Sequence, residues 1–149
     1  GMAQQPRSPP YSNWSLCTTE ASTGDQGKSV YRLRSRGWKR VAYTPFAPPT
    51  GKGYGGIDVY GYPQGIAMAA DGFGLIWESR GTLYVTRDGG SEWIGLPKVA
   101  QPEVDFGMSG FALPHGVGFV VLALGGTEAR QLLKTTDAGR HWHAVHVWH

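Results

Sequence analysis

Apolar residues fall in short runs along the chain, and nearly every run stops at glycine, proline or aspartate. Tyr31-Arg32-Leu33-Arg34 alternates apolar and charged positions, the period-two signature of a half-buried strand. No window repeats its apolar positions with a helical period. The runs predict three groups of strands. The first is 14–18, 29–33 and 38–43; the second is 66–69, 75–78, 83–86 and 93–96; the third is 110–113, 118–123, 132–135 and 142–147. Tight turns predicted at Asp71-Gly72, Arg80-Gly81, Pro114-His115-Gly116 and Gly125-Gly126 separate them. Four short strands joined by tight turns make one antiparallel sheet, so the expectation is an all-β chain of about three such sheets, the first incomplete.

Two of the turns are copies. Thr86-Arg87-Asp88-Gly89-Gly90-Ser91-Glu92-Trp93 and Thr135-Thr136-Asp137-Ala138-Gly139-Arg140-His141-Trp142 share Thr-x-Asp-x-Gly-x-x-Trp. Asp88 and Asp137 can accept bonds from N–H groups of their own turn. Gly90 and Gly139 permit positive φ, the threonines add a second side-chain bond, and Trp93 and Trp142 pack back beneath. These residues read as corners of the fold rather than as catalytic acids or metal ligands. Arg34-Ser35-Arg36-Gly37-Trp38 keeps the glycine and tryptophan without the aspartate and reads as a degenerate copy.

The motif resembles the Asp-box, or BNR repeat, of sialidases and other β-propellers. Residues around Gly65-Ile66-Ala67 and Gly74-Leu75-Ile76-Trp77 also resemble bacterial propellers described as photosystem II stability or assembly factor-like. The resemblance implies blades over roughly 12–43, 65–97 and 106–149, with the box between the third and fourth strands of a blade. The photosystem II factor-like likeness implies an exported protein; the box occurs in enzymes and non-enzymes alike, and with no catalytic signature in the sequence the reading is a binding or scaffold module. The alternative is a sialidase-like or other carbohydrate-active enzyme, or a piece of one. The sialidase Arg-Ile-Pro signature is absent, and nothing in the sequence pairs Asp58, Asp71, Glu78, Glu103 or Asp105 as a glycosidase requires. A closed propeller takes at least four blades. Closure is therefore expected from further blades of a longer chain or from a second copy, two copies completing a six-bladed ring.

Composition adds bounds. The 149 residues carry 23 glycines, ten prolines and 40% hydrophobic residues, enough for one turn-rich core. A net charge of +3 does not call for nucleic acid. The run 119–124 is too short to span a bilayer, and no signal peptide is visible; Gly1-Met2 reads as a cleavage scar, which leaves a removed leader or anchor open. Cys17, the single cysteine, reads as a small buried strand residue. Residues 1–11 read as a flexible polar arm able to supply the missing strand of the first sheet to its own chain or to a partner.

Candidate chemistry is expected on the rim opposite the boxes. The stretch 44–64 has no period and carries Tyr54, Tyr60 and Tyr62 among glycines, with Lys52 and Asp58 nearby. Such tyrosines suit a carbohydrate or a protein partner, unless they pack the loop onto its own blade. Glu78 and Arg80 end a strand and either face the axial channel or pair with each other. Lys28, Arg32, Arg34, Arg36, Lys39 and Arg40 form a basic run without an acid. Arg32, Arg34 and Arg36 are read as an anion-binding stripe, or else as a solvated outer face. His141, His143, His146 and His149 cluster near the end, with His141 and His143 at strand spacing, but no third ligand stands beside them, so adventitious metal binding is the expectation. No cofactor is implied.

Overall fold

Twelve strands form among the residues described by the computed structural model, which are 5–6, 13–20, 23–45, 52–80, 82–96, 104–124 and 128–149. Blade 1 comprises β1 (Gln5–Pro6), β2 (Trp14–Thr18), β3 (Lys28–Arg34) and β4 (Gly37–Tyr43) in that spatial order. Blade 2 comprises β5 (Tyr62–Met68), β6 (Gly74–Ser79), β7 (Leu83–Thr86) and β8 (Ile94–Leu96). Blade 3 comprises β9 (Val104–Leu113), β10 (Val117–Leu124), β11 (Arg130–Thr135) and β12 (His143–Trp148). All pairings are antiparallel, and a bridge at Ser79↔Phe106 links blades 2 and 3. This is the β-propeller arrangement, each sheet laid face to face on the next. No described helix is long and apolar enough to cross a membrane.

Gln5 and Pro6 pair with Thr18 and Cys17, so the N-terminal arm completes the first blade of its own chain at this point. The rest of the arm lies outside the described residues, as do 46–51, Gly81, Pro97, Glu103 and Gly125-Gly126. The inner strand of blade 2 starts at Tyr62, four residues before the expected start. Pro63 is tolerated there because β5 pairs only with β6 and the ladder shifts register between Pro63 and Gly65. Cys17 is half-buried rather than buried, its sulfur 3.8 Å from the Ser15 hydroxyl.

Alternation along β6 explains why the whole strand is buried. Ile76 faces blade 1 and packs with Trp14, Leu16, Val30, Tyr84 and Trp93. Leu75 and Trp77 face the other way and pack with Val85, Val120, Leu122 and Leu133 of blades 2 and 3. Each aliphatic side chain buried this way contributes roughly 1.5–3 kcal/mol. By the same parity Glu78 points with Ile76 toward blade 1.

Candidate functional site

Both copied turns have one geometry. Thr86 Oγ1 donates to Asp88 Oδ1 (2.9 Å) and accepts from Gly90 N (3.0 Å), while Asp88 Oδ1 also accepts from Ser91 N (3.2 Å) and Glu92 N (3.0 Å). Thr135, Asp137, Gly139 and His141 N repeat this at 2.9 Å throughout. Trp93 and Trp142 donate to the carbonyls of Gly90 and Gly139. His141 Nδ1 lies 2.6 Å from Asp137 Oδ2, and the N–H of His141 holds the Asp137 carboxyl well below the usual carboxylate range. Each turn also locks to its neighbours. Gly89 N and Ala138 N donate to Gly72 and Gly116, the first turns of their own blades. Gly89 O and Ala138 O accept from Trp14 and Arg87 of the preceding blades. The aspartates thus spend their acceptors within their own turns. The Arg34–Trp38 hairpin occupies the same place in blade 1, but Trp38 is 52% exposed and wedges nothing.

The opposite rim departs from expectation. Glu78 does not pair with Arg80, which is exposed in the left-handed region at φ 55°. Its carboxylate reaches across the blade seam to Lys28, 3.1 Å from Nζ, with both side chains fully buried. Lys28 is therefore no part of a solvated basic run. Nζ donates to the carbonyls of Asp58 (2.6 Å), Tyr60 (2.9 Å) and Val59 (3.2 Å). Those three bonds use its three protons, and neither Glu78 oxygen has an aligned donor. The contact is chiefly Coulombic. Burial pushes the Glu78 carboxyl up to about 7 against the opposing pull of Lys28, and burial lowers the Lys28 ammonium.

The tyrosine loop is bound to this pair. Gly61 N donates to Gly24 O (2.7 Å), Gln26 N to Val59 O (2.8 Å) and Trp93 N to Gly55 O (2.7 Å). Asp58 N donates to the Tyr84 hydroxyl, whose pKa burial pushes up to about 12. The exposed Asp58 carboxylate accepts from Tyr60 N (3.0 Å). Tyr62 is half-buried, its hydroxyl accepting from Gly24 N. Tyr54 and Tyr60 stay more than half exposed, Tyr54 beside Tyr43 with ring centroids 6.2 Å apart. The loop is a clamp between blades that leaves two tyrosine rings facing solvent.

A concavity lies along the inner strands. A groove of about 900 Å³ is lined by residues 64–68 and Ala70 of blade 2, 110–113 of blade 3, and Asn13, Trp14 and 32–34 of blade 1, with Trp77 in its wall. Arg32 and Arg34 share a strand face as expected, and both line this groove. Arg36 sits apart in the exposed hairpin turn. No carboxylate is among its described lining residues. A second cleft of about 410 Å³ on the box rim is lined by Asp71, Arg87, His115, Asp137 and Arg140. Its acids are already engaged, Asp71 by His115 N (2.8 Å) and Phe73 N (3.3 Å). Among the described residues no three His, Cys, Asp or Glu side chains group as a metal site. The His141–His143 pairing fails because His141 belongs to the Asp137 turn and β12 starts at His143; His146 stacks edge-on against Trp148.

Comparison with known proteins gives the fold. No protein-family model and no curated protein matches the chain. Among solved structures it is similar to a GH74 xyloglucanase from Xanthomonas campestris, with a TM-score of 0.55, 15% identity and 91% of this chain covered. The chain spans 19% of the length of that enzyme.

Proposed function

We propose that this chain is a non-catalytic β-propeller binding module, with Asp88 and Asp137 in Asp-box corners that only build the blades. The observation that carries this reading is the charge of the groove: two arginines and no carboxylate among its described lining residues. A glycosidase needs two carboxyl groups facing across the scissile bond, roughly 5–10 Å apart. Here Asp71, Asp88 and Asp137 serve their turns, and Glu78 is sealed against Lys28. An exported setting accords with the resemblance to bacterial photosystem II factor-like propellers.

The runner-up, a carbohydrate-active enzyme, draws on the xyloglucanase likeness and on Glu78, whose raised pKa is of the kind a general acid uses. Reducing-end assays on xyloglucan, together with release of chromophore from aryl glycosides and sialosides, decide between the two. No turnover above the buffer rate is expected. Turnover that disappears in Glu78→Gln would establish the enzyme reading instead.

A further inference from the structure

We propose that the groove binds a small amphipathic anion, with its flat apolar body along β5 and β9 and its anionic group held by Arg32 and Arg34 at the box-side mouth. The inference rests on the binding-module reading and specifies its ligand. It also moves the site away from the tyrosine rim.

Strand direction fixes the polarity of the groove. β3 runs from the buried Lys28 to Arg34, which opens the hairpin on the box side. β5 runs toward the turn whose Gly72 carbonyl bonds Gly89 N, and β9 ends at the turn whose Gly116 carbonyl bonds Ala138 N. Arg34, Met68 and Leu113 therefore mark the box-side mouth. Arg32 is held there, its guanidinium 4.8 Å over the Trp14 ring and packed against Gly89. An arginine stacked on an indole loses little freedom when it takes up an anion, and two forked cations on one strand face suit a carboxylate, sulfonate or phosphate.

The wall beyond the mouth is apolar. Ala67 and Met68 line one side and Gly110 and Ala112 the other, with Phe111 and Leu113 edging the groove from the blade-3 face they share with Phe119. An apolar wall of this kind facing a concavity favours an apolar occupant. Trp77 in the wall is only 8% exposed, and no acid is among the described residues lining the groove. The size of the groove falls within the range of sites for drug-sized molecules, about 300–1,000 Å³.

Two dyes of nearly identical ring system test this. Anilinonaphthalene sulfonate carries one anionic group, and phenylnaphthylamine carries none. Titration of the folded protein, followed by dye fluorescence and by energy transfer from tryptophan, is expected to show one sulfonate dye per chain, bound at least about tenfold more tightly than the neutral dye. The difference should shrink as salt rises. Arg32→Gln/Arg34→Gln is expected to abolish the preference while leaving the neutral dye unchanged, and Met68→Ala to weaken both. Thermal melts check folding; Arg34→Gln alone, at the exposed strand end, supplies the test if loss of the Arg32–Trp14 stack unfolds the pair. Equal affinity for the two dyes overturns the proposal. So does binding of several dyes per chain that ignores the arginine changes, and so does no binding at all. Turnover in the glycoside assays would sink the binding-module reading without altering any dye result, so the two failures are separable.

Discussion

Lys28 holds three loop carbonyls and one carboxylate in a sealed seam. Lys28→Met strips all four at once and leaves Glu78 buried without its cation, so an expected loss of about 3–5 kcal/mol should appear in urea unfolding. Lys28→Met/Glu78→Leu should recover part of that loss. The same seam sets a pH dependence. The folded pKa of Glu78, about 7, exceeds its ordinary 4.5, so the folded state keeps a proton that the unfolded chain releases. The contribution of this carboxyl is complete below about pH 4.5 and is lost as pH rises through about 7. Lys28, Asp58 and the Tyr84 hydroxyl face it and remain in place in Glu78→Gln, which should flatten stability across that window when urea midpoints are compared. Asp137 has the opposite sign. Its depressed pKa gives stability present at neutral pH and lost in acid, and Asp137→Asn should remove that acid-side slope from thermal melts. The box chemistry was readable because every partner lies within six residues of Asp137 or Asp88. The Lys28–Glu78 pair was not, since its members are fifty positions apart and only the alternation of β6, once its neighbours are known, aims one at the other.

At the level of strands, the seam between blades 2 and 3 depends on two missing side chains. The indole of Trp77 lies between Gly65 of β5 and Gly110 of β9. A methyl group at Gly65 would fall 2.3 Å from Trp77 Cζ2, and one at Gly110 would fall 2.8 Å from Cε3. Gly65→Ala and Gly110→Ala should each cost about 1–3 kcal/mol by thermal unfolding and shift tryptophan emission as the ring is displaced. Gly95→Ala, where the nearest side-chain atom would be 3.2 Å away, should cost less. Strand existence was legible throughout, because alternation and turn residues act locally: all eleven predicted runs became strands. The early start of β5 was hidden by Pro63, which argues against a strand unless the strand is known to lie at an inner edge. Trp38 misled in a related way. It keeps a glycine and a tryptophan as the boxes do, but Gly37 and Trp38 are adjacent where the boxes separate them by two residues, and without an aspartate the hairpin closes on two residues, Ser35 and Arg36, leaving the ring on the surface. The groove was only half legible. That Arg32 and Arg34 share a face follows from period two; that this face lines the groove depends on how blades 1, 2 and 3 are stacked.

For the molecule as a whole, the outer faces of the end blades decide what happens next. In blade 3, Val120, Leu122 and Leu133 face blade 2, so Phe119, Val121 and Leu132 line the other face, with Lys134 5.5 Å over the Phe119 ring. No described residue from another blade covers that face. In blade 1 the face turned from blade 2 carries Tyr31, Leu33 and Tyr43, with the Arg40 guanidinium 3.9 Å over Tyr43. Apolar and aromatic rows on both end blades are what a sheet-on-sheet seam uses, and the two seams already present are built in the same manner. We propose that a second copy lays its blade 1 on this blade 3 and receives the reverse contact on the far side, giving two identical seams and a six-bladed ring with two-fold symmetry. The expected particle in light scattering is twice the 16.1 kDa chain. Leu132→Asp places a charge in both seams and should reduce the mass to one chain while leaving the β-sheet circular dichroism intact. A single-chain mass for the parent protein at about 100 μM would refute ring closure by pairing, since two apolar seams closing together should hold in the micromolar range or tighter.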